Sequence, residues 1–359
     1  MYDYGLIALV SFISSFVLVV LAIYLFPKIG LKERPHLYGL KRKPIPYYGG
    51  VVIFLAFLIV TLWFVELSTE VVGLLIAGGI IALIGFLDDL FKLSPVLRLF
   101  VQICAAALLV LFGVGILSIS NPLGGAIVLD AWNLEFSIFD MRFFVPIFGA
   151  IFTIIWMVLI TNTMNFLDGI GGLTSGVTFI AGLTIFFLST RAGLHADLVS
   201  QETVAVLALI LAFVSFAFLM FDFPKSKILM GDTGSTFLGF MLAALAIFSG
   251  GKVATAFLVL GVPILDVGWV VLRRLFEGKK PWQGDLTHLH HRLLELGFKE
   301  ASVLAILYCL SLVFGVLAIV CTSTQQKFFV IIGLGVLMVL LVASISMVGS
   351  KGSSGFRKG

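Results

Sequence analysis

The stretch Ile-Gly-Phe-Leu-Asp-Asp-Leu-Phe-Lys at residues 84–92 ends an apolar run that begins near Val71, and it carries two adjacent carboxylates, Asp88 and Asp89. An ionised carboxylate costs roughly 3 kcal/mol or more inside lipid, so such a pair is expected at a membrane boundary, facing water or protein. Taken alone, the pair fits a polar helix end at the lipid surface as well as it fits a functional site. The other polar clusters decide between these interpretations.

The composition identifies the class of protein. The 359 residues are 60% hydrophobic and only 12% charged, and the mean hydropathy is +1.18. The chain is therefore too apolar for a water-soluble domain and too long for a single span. We predict an all-α polytopic membrane protein in which residues 1–350 form one integral membrane domain and residues 351–359 form a flexible cytoplasmic tail.

The apolar segments predict a bundle of about eleven transmembrane helices, since one crossing needs about 20 apolar residues. They lie near residues 5–27, 49–66, 71–87, 95–117, 143–161, 172–189, 201–221, 234–250, 253–272, 301–321 and 328–348. With the N-terminus outside, all but four of the 23 Lys and Arg residues fall on the inside. The positive-inside rule then places the C-terminus in the cytoplasm. Residues 118–142 are expected to form a small outer hairpin.

A second polar cluster lies in residues 162–172, Asn-Thr-Met-Asn-Phe-Leu-Asp-Gly-Ile-Gly-Gly. Steps of three residues place Asn162, Asn165 and Asp168 within an arc of roughly 120° on one helix face. A single Asn in a membrane helix often serves only as an interhelical clamp. Two Asn and one Asp that lead into glycines also offer bare N–H groups to an anion, so a functional site is favoured here.

A third cluster, Met-Gly-Asp-Thr-Gly-Ser at residues 230–235, directly precedes another predicted helix. Gly231 and Gly234 flank the pair that contains Asp232, and backbone N–H groups at a helix start favour phosphate. Asp232 fits either a simple N-cap or a ligand for a hard cation. Magnesium prefers one or two carboxylates together with phosphate oxygens and waters, which is the pattern that such scattered acids offer.

The longest inside loop contains three of the five histidines, in the run His-Leu-His-His-Arg at residues 288–292. Leucines at spacings of four and seven predict a short amphipathic helix at the membrane surface, capped by Asp285 or Thr287 and ending at Gly297.

On such a helix His288 and His291 share one face, and His290 points away from it. A zinc site is a poor fit because no Cys lies nearby. We expect the histidines and Arg292 to donate hydrogen bonds to phosphate oxygens; a solvated helix face is the alternative.

Taken in order, these motifs resemble the signature of the polyprenyl-phosphate N-acetylhexosamine-1-phosphate transferases, from about Lys41 to Leu294. The eleven predicted spans and the spaced histidines are most similar to the bacterial undecaprenyl-phosphate N-acetylglucosamine-1-phosphate transferases, which start O-antigen and teichoic acid assembly. The phospho-N-acetylmuramoyl-pentapeptide transferases of peptidoglycan synthesis are the alternative. That branch typically has ten spans, three consecutive histidines and an Asp where Gly171 stands. Asp222 and Leu229 also depart from the Asn and Phe common near the third cluster.

The resemblance implies transfer of N-acetylglucosamine-1-phosphate, or of a close N-acetylhexosamine-1-phosphate, from a UDP-sugar to undecaprenyl phosphate, with release of UMP. It places this activity on the cytoplasmic face of the bacterial inner membrane. The implied partners are the UDP-N-acetylhexosamine, the undecaprenyl phosphate and membrane lipid, with no nucleic acid. The family often dimerises, so a homodimer is included among the expectations.

The resemblance also implies roles for individual residues. Asp232, Asp88 and Asp89 are expected to hold Mg²⁺, with Mn²⁺ as an alternative, because two anionic phosphates must meet. The expected catalytic groups are Asp88, Asp89 and Asp168, which would deprotonate or orient the lipid phosphate for direct attack; a covalent aspartyl-phosphate route stays open. The substrate-binding set is Lys43, Lys92, Asn162, Asn165, Asp168, Gly169, Gly231, His288, His290, His291 and Arg292.

Two other classes of protein also place polar residues in a helical bundle. A transporter would have its site near the bilayer midplane between broken helices, whereas these motifs lie at one predicted surface. An intramembrane aspartyl protease needs a buried pair of carboxylates and has no use for a histidine cluster. The transferase interpretation accounts for all of the clusters together.

Overall fold

The structure, a computed structural model, describes residues 2–33, 44–121, 124–138, 141–191, 198–248, 253–276, 278 and 288–353. Three residues singled out above, Lys43, Asp285 and Thr287, lie outside these ranges.

Within these ranges the chain forms thirteen helices and four short strands. The helices are α1 Tyr4–Leu25, α2 Gly49–Phe64, α3 Thr69–Phe91, α4 Pro95–Leu111, α5 Ile147–Leu167, α6 Leu173–Ser189, α7 Leu198–Asp222, α8 Gly231–Phe248, α9 Val253–Val259, α10 Gly261–Phe276, α11 Leu289–Glu295, α12 Glu300–Val320 and α13 Thr324–Ser353. The strands are β1 Ser118–Ser120, β2 Ala126–Val128, β3 Asn133–Ile138 and β4 Met141–Pro146.

The long apolar helices confirm the polytopic membrane class. Among the described residues, six helices are long and apolar enough to cross a membrane: α1, α3, α5, α8, α12 and the part Gln201–Asp222 of α7. Four shorter apolar helices accompany them: α2, α4, α6 and the part Thr324–Leu340 of α13. The total of eleven spans and the orientation of the chain stay predictions.

One predicted span, residues 253–272, is not a single helix. It divides into α9 and α10 at Leu260 and Gly261, two residues before Pro263. A proline has no backbone N–H to donate, and the bare Gly261 lies against the ring of Phe314, where a side chain would overlap the ring. The helix is thus interrupted where Gly261 contacts α12.

The segment predicted as one outer hairpin contains two. β1 pairs with β2, and β3 pairs with β4 in an antiparallel register that sets Leu134 opposite Val145. The alternation of polarity near Leu134 therefore marks a strand, as expected, and the preceding turn adds a smaller hairpin before it.

Helix α8 is at the centre of the bundle, and all but two of its 18 residues are buried. Glycines allow its neighbours to approach closely at its first turns. A side chain at Gly50 of α2 would overlap the backbone nitrogen of Gly234, and a Cβ at Gly85 of α3 would lie 2.7 Å from the Cα of Thr233. Such small residues are typical of close helix packing in membranes, and here they bring the end of α3 against the start of α8.

Candidate active site

The carboxylate of Asp89, at the end of α3, caps the start of α8. Its Oδ1 accepts hydrogen bonds from the backbone N–H of Asp232 and from the Tyr47 hydroxyl, both at 3.0 Å. Its Oδ2 accepts from the backbone N–H of Thr233 at 3.0 Å and from the Thr233 hydroxyl at 2.7 Å. Gly231 has a φ of +73° and a Cβ there would lie 2.6 Å from this oxygen, so the approach requires glycine. The side chain of Asp89, from α3, thus accepts the N–H groups of α8 that an N-cap residue would normally accept.

Each oxygen of Asp89 therefore already has two donors, and the residue is only 5% exposed. Burial, and then the negative charge of Asp89, raise the pKa of Tyr47, which keeps its hydroxyl protonated as a donor. These bonds favour a positioning role for Asp89, which orients the first turn of α8 and with it Asp232. A metal-binding or catalytic role for Asp89 stays a prediction.

Asp88 and Asp232, from α3 and α8, share one cationic partner, Arg98 of α4. Nη1 of Arg98 lies 2.8 Å from Oδ2 of Asp88 and 2.9 Å from Oδ2 of Asp232. The other oxygen of Asp88 accepts the backbone N–H of Leu93 at 2.7 Å. The two carboxylates are thus arranged around a single position for positive charge, and the side chain of Asp232 is 31% exposed.

The amide of Asn165 joins this cluster from α5. Its Nδ2 donates to Oδ1 of Asp232 at 3.1 Å and to the hydroxyl of Ser235 at 2.9 Å. Asn162, one turn earlier, donates instead to Oε1 of Gln102 in α4 at 2.6 Å. Asn162 is therefore an interhelical clamp in this structure, which was the alternative interpretation of the motif, and its predicted contact with substrate stays a prediction.

The glycine-rich turn after α5 is held by Asp222 at the end of α7. Oδ2 of Asp222 accepts the backbone N–H of Gly172 at 2.7 Å, and the Ser226 hydroxyl donates to the backbone carbonyl of Asp222 at 2.8 Å. Burial, and then the negative charge of Asp222, raise the pKa of Asp168 well above its usual range. With its raised pKa, Asp168 binds a proton more readily than an exposed carboxylate does.

Asp266 of α10 fixes the start of the histidine segment. Its Oδ2 lies 2.9 Å from Nδ1 of His288, and its Oδ1 accepts the backbone N–H of Leu289 at 2.8 Å. The ring of Phe166, from α5, stacks on His288 with 5.9 Å between centroids. The N-cap position of α11 is His288, and the carboxylate that accepts the first N–H of the helix comes from α10. Capping by Asp285 or Thr287 stays a prediction, since both lie outside the described residues. The end predicted at Gly297 agrees with α11, whose last residue is Glu295.

The expectation that His290 points away from the other histidines is also wrong. The helix begins only at Leu289, so His288 is outside it and the assumed helical spacing does not apply. The ring of His290 lies parallel to that of His288 at 5.8 Å and 4.1 Å from that of His291. It is completely buried against Gly169, where a side chain would overlap its Nε2.

Neither ring nitrogen of His290 has a hydrogen-bond partner in the part of the chain that the structure describes. Burial, and then the charge of His291, lower the pKa of His290 to about 4, so the ring is neutral at neutral pH. A buried polar group without a partner is costly, and a ligand that supplies one removes that cost.

The predicted residues within the described ranges thus meet at one end of the bundle. Asp88, Asp89, Asp232 and Asn165 form one hydrogen-bonded network, and the charges of Asp232 and Asp89 also raise the pKa of Asp168. Contact of Gly169 with His290 extends this network to the histidines. Gly231 lies against Asp89, His291 against His290, and Arg292 in the same short helix. Lys92 follows α3 and lines a cavity beside Asp89.

Sequence reasoning missed three residues that build this region: Arg98, Gln102 and Asp266. Arg98 and Gln102 lie on α4 and Asp266 on α10, each inside a segment interpreted only as a span. Their polarity within apolar helices was the available signal, since a charged group in such a helix normally has a partner.

The family model described as "Glycosyl transferase family 4" matches residues 71–250, half of the chain. The chain belongs to glycosyl transferase family 4. The matched residues contain α3 to α8, and therefore the acidic cluster with Asn165 and Asp168, whereas the histidine segment lies beyond them.

Individual relatives extend the similarity over most of the chain. A protein of Bacillus subtilis named "Probable undecaprenyl-phosphate N-acetylglucosaminyl 1-phosphate transferase" is 28% identical over 90% of this chain and 87% of its own length. The "Decaprenyl-phosphate N-acetylglucosaminephosphotransferase" of Mycobacterium tuberculosis is 33% identical over 74% and 69%. The "Undecaprenyl-phosphate alpha-N-acetylglucosaminyl 1-phosphate transferase" of Escherichia coli K12 is 27% identical over 77% and 73%.

The carboxylates of Asp88 and Asp232 suit a hard cation to which the protein supplies only some of the ligands. Among the described residues, no group of three or more His, Cys, Asp or Glu is arranged to enclose a metal ion. Asp88 and Asp232 nevertheless hold one cationic group between them. Mg²⁺ prefers one or two carboxylates completed by phosphate and water oxygens, so this pair suits Mg²⁺ better than zinc.

Proposed function

We propose that this chain transfers N-acetylglucosamine-1-phosphate from UDP-N-acetylglucosamine to undecaprenyl phosphate, at the cytoplasmic face of the bacterial inner membrane. The observation that carries the proposal is the pair Asp88 and Asp232, two carboxylates from different helices around one cationic position, beside Asn165 and Asp168, whose pKa is raised. The names of the relatives, which are phosphotransferases acting on polyprenyl phosphates, support the same activity.

The reaction brings two anionic phosphates together, so its main requirement is to offset their repulsion. Asp88 and Asp232 would hold Mg²⁺, which would supply positive charge against the diphosphate of the UDP-sugar. Arg98, which contacts both carboxylates from α4, supplies further positive charge beside them. Asp89 keeps the first turn of α8 in place through three hydrogen bonds, which fixes the orientation of Asp232.

Asp168 is the group best suited to receive a proton, because its pKa is raised. In our proposal it takes the proton of the lipid phosphate, whose oxygen then attacks the sugar-bearing phosphorus. A new P–O bond forms, the bond to the leaving phosphate breaks, and UMP departs. The neutral ring of His290 has two unpartnered nitrogens: the one that carries the proton donates a hydrogen bond to a phosphate oxygen, and the other accepts one from a sugar hydroxyl. Arg292 contributes its charge.

The test is release of UMP by the purified protein. UDP-N-acetylglucosamine and undecaprenyl phosphate together should yield UMP and a lipid-linked product in the presence of Mg²⁺, and omission of either substrate should abolish release. Product from UDP-N-acetylmuramoyl-pentapeptide instead would overturn the assignment in favour of the peptidoglycan branch. Absence of UMP with every UDP-sugar would overturn the transferase activity.

An experiment without the lipid acceptor distinguishes direct attack from the covalent aspartyl-phosphate route. We propose direct attack, because the network in Asp88, Asp89 and Asp232 leaves these carboxylates engaged with donors. Incubation with UDP-N-acetylglucosamine labelled in its sugar-bearing phosphate should leave the protein unlabelled. A labelled protein in the absence of lipid would establish the aspartyl-phosphate route.

A further inference from the structure

Gly172, the last residue of the glycine-rich turn at residues 169–172, is held through both of its backbone polar groups. Its N–H donates to Oδ2 of Asp222 in α7, and its carbonyl accepts a hydrogen bond from the hydroxyl of Tyr308 in α12. Gly172 has a φ of +89°, and a Cβ there would lie 2.8 Å from the Cβ of Phe223. Two helices that are distant in sequence therefore fix one glycine, and Tyr308 has no part in the mechanism above.

Tyr308 reaches the turn because Gly176, in the first turn of α6, has no side chain. A Cβ at Gly176 would overlap the ring and the hydroxyl of Tyr308. The absence of this side chain brings α12 directly against the start of α6, as small residues do between helices in membranes. The hydrogen bond to Gly172 therefore comes from a ring that lies in a space made for it.

The turn that Tyr308 holds joins the acidic residues to the histidines. Asp168 comes directly before the turn, at the end of α5. Gly169, the first residue of the turn, lies against His290, where a side chain would overlap Nε2 of the ring. A shift of the turn would therefore change the spacing between Asp168 and His290.

Helix α12 is also the helix that follows the histidine segment. Only residues 296–299 separate it from α11, and the N–H of Phe298 donates to the carbonyl of Leu293 at 3.2 Å. Leu293 of α11 and Leu304 of α12 are both buried in the apolar core. The histidine segment is thus attached to the start of α12, and Tyr308, about two turns along that helix, attaches α12 to the glycine-rich turn.

We propose that Tyr308 is a positioning residue for the transferase reaction, whose hydrogen bond to Gly172 sets the spacing between the glycine-rich turn and the histidine segment. The inference rests on the proposed function, because it concerns how that same site binds the UDP-sugar. The donor is expected to contact both Gly169 in the turn and His290 in the histidine segment, so its binding depends on this spacing. Tyr308 touches neither substrate and acts through the turn.

The experiment compares Tyr308→Phe with the starting protein in the UMP-release reaction. The substitution removes only the hydroxyl. The carbonyl of Gly172 keeps two donors, the N–H of Gly176 at 2.9 Å and the hydroxyl of Ser175 at 3.3 Å, so the bundle should stay folded. The KM for UDP-N-acetylglucosamine should rise about fivefold, and that for undecaprenyl phosphate should stay within about twofold. An unchanged donor KM, or an equal rise for both substrates, overturns the proposal.

Gly315→Ala is the control for general loosening between the same two helices. Gly315 lies about two turns beyond Tyr308 on α12, and a Cβ there would overlap the hydroxyl of Thr184 in α6. This variant should lower the melting temperature and leave both KM values unchanged. A rise in its donor KM equal to that of Tyr308→Phe would overturn the positioning role, because packing between α6 and α12 would then explain the effect.

Hydrogen–deuterium exchange without substrate separates this inference from the transferase activity. The backbone amides of residues 168–176 should exchange about fivefold faster in Tyr308→Phe than in the starting protein or in Gly315→Ala. Equal exchange in all three proteins overturns the hydrogen bond as a constraint on the turn. If exchange is faster as expected while the starting protein releases no UMP from any UDP-sugar, the transferase proposal fails and the constraint on the turn stands.

Discussion

The acidic cluster and the histidine cluster are built in opposite ways, although both belong to one site. In the acidic cluster, Asp89 and Asp232 have donors on every carboxylate oxygen, and glycines pack the helices that carry them in direct contact. In the histidine cluster one carboxylate, Asp266, anchors the segment, and His290 is buried with two unpartnered nitrogens.

This difference teaches which half of the site is preorganised. Polar groups whose hydrogen bonds are all made within rigid helices keep one geometry. A buried polar group without a hydrogen-bond partner destabilises the protein, and this destabilisation is relieved when a ligand supplies the partner. We therefore expect the acidic cluster to govern turnover and the histidine cluster to govern binding of the donor substrate. Four changes test this contrast.

The largest effect is expected for Asp232→Asn. The amide can still accept from Asn165, but it removes one of the two charges around the cationic position, so turnover should fall about 1,000-fold. Measurement of kcat and KM with both substrates checks this. Asp130→Asn, in the outer hairpin region, serves as the control and should be neutral. A kcat within tenfold of the starting protein would contradict the central role of Asp232.

Gly85→Ala tests whether helix contact sets the acidic geometry. A Cβ at this position would lie 2.7 Å from the Cα of Thr233, so α3 and α8 must separate, and activity should fall about 100-fold with a lower melting temperature. The matched control is Gly79→Ala on the same helix, where the nearest atom is 3.6 Å away on the ring of Phe54. Equal behaviour of the two variants would mean that this contact is unimportant.

Asp266→Asn tests the anchor of the histidine cluster. An amide retains one acceptor oxygen for either His288 or the N–H of Leu289, so the segment should loosen without unfolding the bundle. We expect about a tenfold rise in the KM for UDP-N-acetylglucosamine with a smaller change in kcat, measured by UMP release. Asp266→Glu should restore part of the affinity. A selective fall in kcat would place Asp266 with the acidic cluster instead.

The smallest effect is the pH dependence that His290 contributes to stability. Its pKa in the folded protein, about 4, is below that of an exposed histidine, so the unfolded chain binds the extra proton first. The contribution is fully present above about pH 6.5 and is lost as the pH falls toward 4, by about 1–2 kcal/mol at pH 5. The melting temperature of His290→Asn should therefore fall less between pH 7 and pH 5 than that of the starting protein. Parallel curves would contradict a neutral buried ring.

Sequence reasoning recovered the parts of the fold and site that depend on local pattern. Apolar runs located the helices, and Asp88, Asn165 and Asp232 meet because each stands at a helix end on the same side of the bundle. Arg98 and Asp266 could not be placed in this way, because their partners are ten or more residues away on other helices and only tertiary packing brings them together.

The orientation of His290 was predicted wrongly for a related reason. Helical spacing was applied from His288 onward, but the helix starts one residue later, where the carboxylate of Asp266 meets the N–H of Leu289. The first residue of a helix is set by whichever group satisfies its free N–H groups, and here that group is distant in sequence.

The hydrogen bonds between Asp89 and the first turn of α8 hold the end of α3 against the start of α8. Spanning helices tilt when the bilayer is thinner or thicker than their apolar length, and helices that tilt independently change the distances between their ends. We therefore expect α3 and α8 to tilt together, so that the gap between Asp88 and Asp232 changes little with lipid thickness. If these carboxylates hold the divalent cation proposed above, its affinity should be the same in membranes of different thickness.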